Sequence, residues 1–317
     1  MTGVRRGDVF GGDRGWEGLA LEVESRDRPG LCLFAAEGRL LLVQGERPVL
    51  LAAVDDDHCG VEFRRTGAYR SVVPPVRAVA ARETAGQVDR WAHRFAEHLA
   101  EAADGPLHGG RWLLARESPL LRRNHEGLPL SAYWGGTVVE GHPDGYVDWF
   151  VHNGSRGILP LRAMPDRGDA RVKAYRKQAR DGTLPPVLLW WIGGLDCHVV
   201  LDGHARLAAA VAESVAPPLL HLYRTAPGDE VAAGTERAVA EYEAELVRYA
   251  GLRDRHGPVV PDGAVIAGAS LARRLEGLRT GVRPTWAWPL PGGRDAWERV
   301  AREAAGGGPS GWPGSGE

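Results

Sequence analysis

Residues 199–214 read VVLDGHARLAAAVAES, and the reading of this stretch decides the fold. Val199, Val200 and Leu201 are apolar, two of them β-branched, and suit a buried strand. Asp202 and Gly203 stop it. Gly203 permits a backbone turn that a Cβ would obstruct, and Asp202 stands where a helix cap is expected. A helix over 204–215 follows, in which Ala208, Ala209 and Ala210 allow close approach to a sheet. The first amides of that helix lack intrahelical partners, and the macrodipole adds partial positive charge at the same place. His204 and Arg206 add side-chain donors. Gly203, His204, Ala205 and Arg206 therefore make an anion site, most naturally for phosphate. The plain alternative is a capping turn that binds nothing.

The flanking residues extend the pattern on both sides. ILPL at 158–161 reads as a short strand and AMPDRGDA at 163–170 as a turn-rich connection. ARVKAYRKQARDG at 170–182 reads as a helix with Val172, Tyr175 and Ala179 on one face and Gly182 as its stop. LPPVLLWWI, the turn GGLD and CHVVLDG make strand, turn, strand. PPLLHLY at 217–223 supplies another strand. Trp190 and Trp191 are neighbours in a strand and point to opposite faces. One is expected in the core, the other against a helix or a pocket.

This order, a helix, Gly-Thr-Leu-Pro-Pro, an apolar strand, a Gly turn, a second strand, D-G-H-x-R-x-x-A-A and a Pro-preceded strand, resembles the ParB/sulfiredoxin superfamily. The match runs from Ile158 to Tyr223, about a fifth of the chain. Sulfiredoxins carry a catalytic Cys directly after the motif's Gly. Here His204 stands there, and the nearest thiol, Cys197, precedes the second strand, so sulfinic acid reduction is not expected. Partitioning ParB proteins carry Gly-Glu-Arg-Arg at this loop and a downstream helix-turn-helix, for which this chain shows no counterpart. The wording is closest to the free serine kinases, which share Asp-Gly-His-x-Arg.

That resemblance implies ATP or another nucleoside triphosphate, with Mg2+, bound at the loop. Gly203, His204, Ala205 and Arg206 would hold the phosphates. Asp202 would cap the helix or help hold the metal. His204 would donate to phosphate or shuttle a proton. A carboxylate from the earlier part of the domain would act as base on a small, amino-acid-like hydroxyl substrate, and the candidates are Asp166 and Asp169. Phosphoryl transfer asks a protein mainly for positioning and charge. The alternative is a non-catalytic, nucleotide-gated DNA-binding or regulatory protein of ParB type. Nuclease activity finds no cluster of carboxylates and Lys.

The rest of the chain sets bounds. Its 317 residues are enough for a sizeable core. The net charge of −2 does not favour a nucleic-acid partner, although a local basic groove is compatible with it. Cys32, Cys59 and Cys197 are too few and too scattered for a disulfide framework or a zinc knuckle, which suits a reducing cytoplasm. The opening MTGVRRGDVFGGDRG has no apolar core, so no secretory signal is expected, and no run reaches membrane-spanning length.

The expected class is α+β. A β-rich domain over 1–150 carries one helix, capped by Thr84 and ended by Gly105, with Val88, Trp91, Phe95 and Leu99 at helical spacing. The ParB/sulfiredoxin-like domain covers 151–228. A helical extension covers 229–304, with helices at 229–254 and 269–279, and 305–317 forms a disordered, Gly- and Pro-rich tail. Lesser candidates read as surface or core. DDDHC at 55–59 is a turn between strands, His93 and His98 lack zinc-site spacing, and RRNHEG at 122–127 is a polar loop. Trp286 and Trp288 in RPTWAWP cover an apolar face or a partner groove. Arg171, Lys173, Arg176, Lys177 and Arg180 form a charged helix face, with nucleotide or nucleic-acid contact as the alternative.

Overall fold

The computed structural model describes residues 3–11, 15–24, 28–55, 59–121, 136–149, 155–261 and 263–305. In chain order the strands are β1 (Val4–Phe10), β2 (Trp16–Val23), β3 (Leu31–Ala36), β4 (Arg39–Gln44), β5 (Arg47–Asp55), β6 (Gly60–Arg65), β7 (Gly110–Ala115), β8 (Asp144–Asp148), β9 (Ile158–Pro160), β10 (Val187–Ile192), β11 (Cys197–Asp202), β12 (Leu219–Thr225) and β13 (Trp288–Pro289). The helices among the described residues are α1 (Ala78–Glu83), α2 (Val88–Glu101), α3 (Ala170–Arg180), α4 (His204–Glu213), α5 (Gly228–His256), α6 (Gly263–Thr280) and α7 (Gly293–Ala304). The class is α+β, as expected. No helix among the described residues is long and apolar enough to cross a membrane.

The strands form two mixed sheets. One has seven strands in the order β1-β2-β7-β12-β10-β11-β9, the other six in the order β13-β3-β4-β5-β6-β8. The segment singled out by sequence lies in the first. There β10 runs antiparallel to β11 and parallel to β12, and β11 runs parallel to β9. Every residue of β10 is buried, which explains its unbroken apolar run: a strand covered on both faces has no polar face to show. Trp190 and Trp191 are 3% and 6% exposed, so both are core residues and neither reaches an open pocket.

One apolar cluster joins the two sheets to α2. Leu19 and Leu21 of β2, Leu33 of β3, Leu50 of β5, and Trp190 and Leu201 of the β10–β11 pair all belong to it. From α2 it takes Trp91, Phe95 and Leu99, the stripe that helical spacing predicts. The helix itself begins at Val88, with Gln87 at its N-cap. Thr84 does not cap it. Its hydroxyl donates to Ala80 O at 2.8 Å and closes the end of α1 instead. Other helix bounds move by a few residues: α4 stops at Glu213, where Ser214 takes a left-handed φ of 56°, and the pattern at 269–279 extends back to Gly263.

The chain divides differently from the expected scheme. Its compact units are Met1–Tyr223 with Pro284–Glu317, and Arg224–Arg283. The boundary at 150/151 disappears because β1, β2 and β7 share a sheet with β9 to β12. Short apolar strands do not declare their partners in sequence, and β7 and β12 meet across more than a hundred positions. The expected extension 229–304 also splits. Helices α5 and α6 form the second unit, where Arg274 of α6 pairs with Glu241 of α5. Helix α7 belongs to the first unit. Its Trp297 packs with Phe34, Leu41 and Leu51 and donates to Leu40 O at 2.8 Å. The expected tail lies, from residue 306 on, outside the described residues, as do 56–58 and 122–135, which hold most of DDDHC and all of RRNHEG.

Candidate functional site

A cleft of about 530 Å³ opens where β11 hands over to α4. Three stretches line it: residues 70–76 after β6, residues 162–175 between β9 and α3, and Asp202–Arg206 itself. The first is fixed from beneath. Gln44, 1% exposed, accepts from Arg70 N at 2.9 Å and donates to Arg70 O at 2.8 Å. Ser71 Oγ donates to Asp202 Oδ1 at 2.8 Å. The second follows from register. Pro160 of β9 pairs with Val200 of β11 in parallel, so Arg162, two residues on, leaves its strand on the level of Asp202.

The β11–α4 corner is built around a left-handed glycine. Gly203 is the N-cap, with φ 105°, a conformation that favours glycine. A Cβ there would lie 2.8 Å from both Nε and Nη2 of Arg206, so Gly203 also makes room for that side chain. Arg206 is 2% exposed and ion-paired with Asp202 Oδ2, with its guanidinium 5.9 Å from the Phe95 ring centroid. The corner is thus not plugged: Arg206 forms part of the cleft wall, but its charge is matched locally by Asp202. Asp202 makes no capping bond to α4. Its two oxygens go to Ser71 and Arg206, which corrects its expected role as helix cap.

His204 is 7% exposed and lines the cleft. Burial, then the charges of Arg162, Arg206 and Arg65, push its pKa down to about 3. The ring is therefore neutral near pH 7, with one nitrogen a donor and the other an acceptor. Among the described residues neither nitrogen has a hydrogen-bond partner, and the buried Nε of Arg162 and of Arg206 have none either. Arg70 and Arg171 complete the basic lining, against the carboxylates of Asp169 and Asp202. Pro74, Pro75, Val76 and Tyr175 give the cleft an apolar side.

Asp202, Gly203, His204, Ala205, Arg206 and Asp169 all line this cleft. Asp169 is also the N-cap of α3, its Oδ1 accepting from Arg171 N at 2.7 Å and Val172 N at 3.2 Å. Asp166 is not among the lining residues, and its Oδ1 accepts from Gly168 N at 2.6 Å in the preceding turn. Arg162 and Arg70 escape sequence reading, because only the parallel β9–β11 register and the Gln44 clamp bring them here. Of the charged face on α3, Arg171 lines the cleft while Arg176 and Arg180 pair with Glu213, which holds that carboxyl below the usual range.

A resident magnesium site does not fit these residues. No group of three or more His, Cys, Asp or Glu with ligating geometry occurs among the described residues. Asp202 already serves a hydroxyl and a guanidinium, and the arginines around it repel a bare cation. No family model, curated protein or solved structure matches the chain.

Proposed function

We propose that this chain binds a nucleoside triphosphate in the arginine-lined cleft, with ATP the first candidate. The observation that carries this reading is His204, buried with both ring nitrogens unpartnered at the head of α4. An orphaned buried polar group costs about 1–3 kcal/mol, and a phosphate oxygen that accepts from the ring N–H removes that cost for one of the two nitrogens. The amides of the first turn of α4 and the field of Arg162 favour the same ligand. The volume is in the range of small-molecule sites, and the Pro74–Val76 wall with Tyr175 offers a nucleoside an apolar surface. Magnesium enters this reading only with the triphosphate, whose own oxygens supply its ligands. Cysteines that form no disulfide among the described residues fit a cytoplasmic setting, where such nucleotides are made and used.

Phosphoryl transfer to a small hydroxyl-bearing substrate is the second reading, and Asp169 favours it. Both capping bonds of Asp169 fall on Oδ1, which leaves Oδ2 to accept the hydroxyl proton at the cleft wall. His204 is too weak a base for that step with a pKa of about 3, and acts instead as a hydrogen-bonding group. Calorimetric titration with MgATP, MgADP and MgCTP tests the first reading: binding of one of them is expected, and no uptake of any overturns it. Incubation with MgATP and hydroxyl amino acids, read by mass spectrometry, tests the second. A phosphorylated product supports it, and binding without turnover leaves the non-catalytic, regulatory alternative.

A further inference from the structure

Resting on the nucleotide reading of the cleft, we infer that Arg162, and not Arg206, is the residue that grips the ligand's terminal phosphate. The arginines near this place are not equivalent. Arg206 is 2% exposed and already neutralised by Asp202. Arg65 is 4% exposed, faces His142 Nδ1 at 3.3 Å and lies outside the lining. Arg70 and Arg171 are exposed, so water and salt screen their charges. Arg162 is half-buried, lines the cleft, has its Nε buried without a partner, and makes no ion pair among the described residues.

Arg162 is also held in place without a carboxylate. Its guanidinium lies 5.7 Å from the centroid of the Tyr69 ring, a cation–π platform that leaves the fork of donors free. Tyr69 is itself pinned, its hydroxyl donating to Leu201 O at 2.6 Å. Beside it His204, 6.2 Å from Tyr69 between ring centroids, holds two unpartnered nitrogens. Of the charges acting on His204, that of Arg162 is the strongest, which fits close approach of the two. A tetrahedral anion settling here meets a planar, uncompensated guanidinium on one side and the opening turn of α4 on the other. Arg206 then has a different role. Paired with Asp202 beneath Gly203, it is a positioning residue that shapes the corner.

The test is calorimetric titration of the full chain with MgATP and, separately, with inorganic tripolyphosphate, for wild type, Arg162→Ala and Arg162→Lys, beside thermal melts. Arg162→Ala is expected to weaken both probes about ten- to a hundredfold while melting with wild type, because no structural ion pair is lost. Arg162→Lys keeps the charge without the fork and is expected to fall between the two. Arg162→Ala that binds tripolyphosphate within about threefold of wild type overturns the inference and leaves the cleft reading standing. If the alanine chain does not fold, the lysine chain decides: weaker tripolyphosphate binding supports the inference, and wild-type affinity overturns it. A wild-type chain that takes up neither probe overturns the cleft reading and this inference with it.

Discussion

The hydroxyl of Tyr69 donates to the main-chain carbonyl of Leu201 at 2.6 Å, across 132 positions of chain. Among the described residues this is the shorter of two side-chain contacts to that carbonyl, the other being Ser71 Oγ at 3.4 Å. The β10–β11 ladder pairs Leu188 with Asp202 and Leu189 with Val200, so Leu201 is the extra residue of a bulge and has no partner of its own on β10. Bulges re-aim the strand that carries them, and this one lies directly before the Gly203 turn. The Tyr69 bond thus ties the start of the 70–76 lining stretch to the end of β11. Burial and the Asp202 charge push the phenol's pKa up, so it stays a donor at any physiological pH. Tyr69→Phe keeps the ring under Arg162 and removes only the bond. A loss of about 0.5–1.5 kcal/mol is expected, since Ser71 Oγ lies 3.4 Å from the same carbonyl and can still reach it. Urea titration checks it: the midpoint should fall with no change in slope.

Gly203→Ala is expected to cost more than the usual glycine replacement. Alanine at φ 105° is strained by about 1–3 kcal/mol, and its Cβ would press on Arg206 Nε and Nη2 at 2.8 Å. The two contributions separate in a double-mutant cycle. In an Arg206→Ala background the contact is gone and only the backbone strain remains, so Gly203→Ala should be milder there. Equal costs in both backgrounds would show that the contact does not matter.

Much of the corner was legible in the sequence, and the reason is local. A β-branched run, a glycine and an alanine-rich helix are set by neighbours in sequence, so β11, Gly203 and α4 came out at their places. What surrounds them was not legible. Arg162 reaches the cleft through a parallel pairing of β9 with β11, and Arg70 through Gln44, 26 positions earlier. Nothing in the residues around either announces that neighbour. Asp202 illustrates a subtler limit. An Asp before a helix suggests a cap, but an arginine four residues on and a serine 131 positions away claim its two oxygens. The shared unit of the two sheets was hidden for the same reason, since strand partners are chosen by packing and not by local pattern.

Arg206 carries a buried charge whose ion-pair partner among the described residues is Asp202. Arg206→Ala leaves that carboxylate, 16% exposed, facing an unfilled hole. A loss of about 3–5 kcal/mol is expected, the size seen when one member of a buried pair is removed. Asp202→Asn is the milder change, since the amide still accepts from Arg206 through its oxygen. Chemical denaturation of the two variants should therefore rank them Arg206→Ala well below Asp202→Asn. Two variants that both unfold with wild type would mean that Arg206 is not held by this pair.

Stability should fall on mild acidification, and the cause is histidine. Burial pushes His221 to about 3, holds His204 at about 3 with help from the nearby arginines, and keeps His198 well below its ordinary value. In the unfolded chain these rings take up protons near pH 6.5. The folded chain does not, so below about 6.5 the unfolded state binds more protons and is favoured as pH drops. The stabilisation is present in full above that pH and is lost progressively towards about 3. Each such ring contributes a slope of about 1.4 kcal/mol per pH unit in that window. His198 and His221 face each other with ring centroids 5.0 Å apart, so a proton on His198 is opposed by His221 as well as by burial. Urea unfolding at a series of pH values should give a plateau above about pH 7 and a steep decline between about 6 and 4. His221→Leu removes one titrating ring and should flatten that decline by about one histidine's share. A wild-type curve that stays level down to about pH 4 would mean that these rings are hydrated, and not buried as neutral groups.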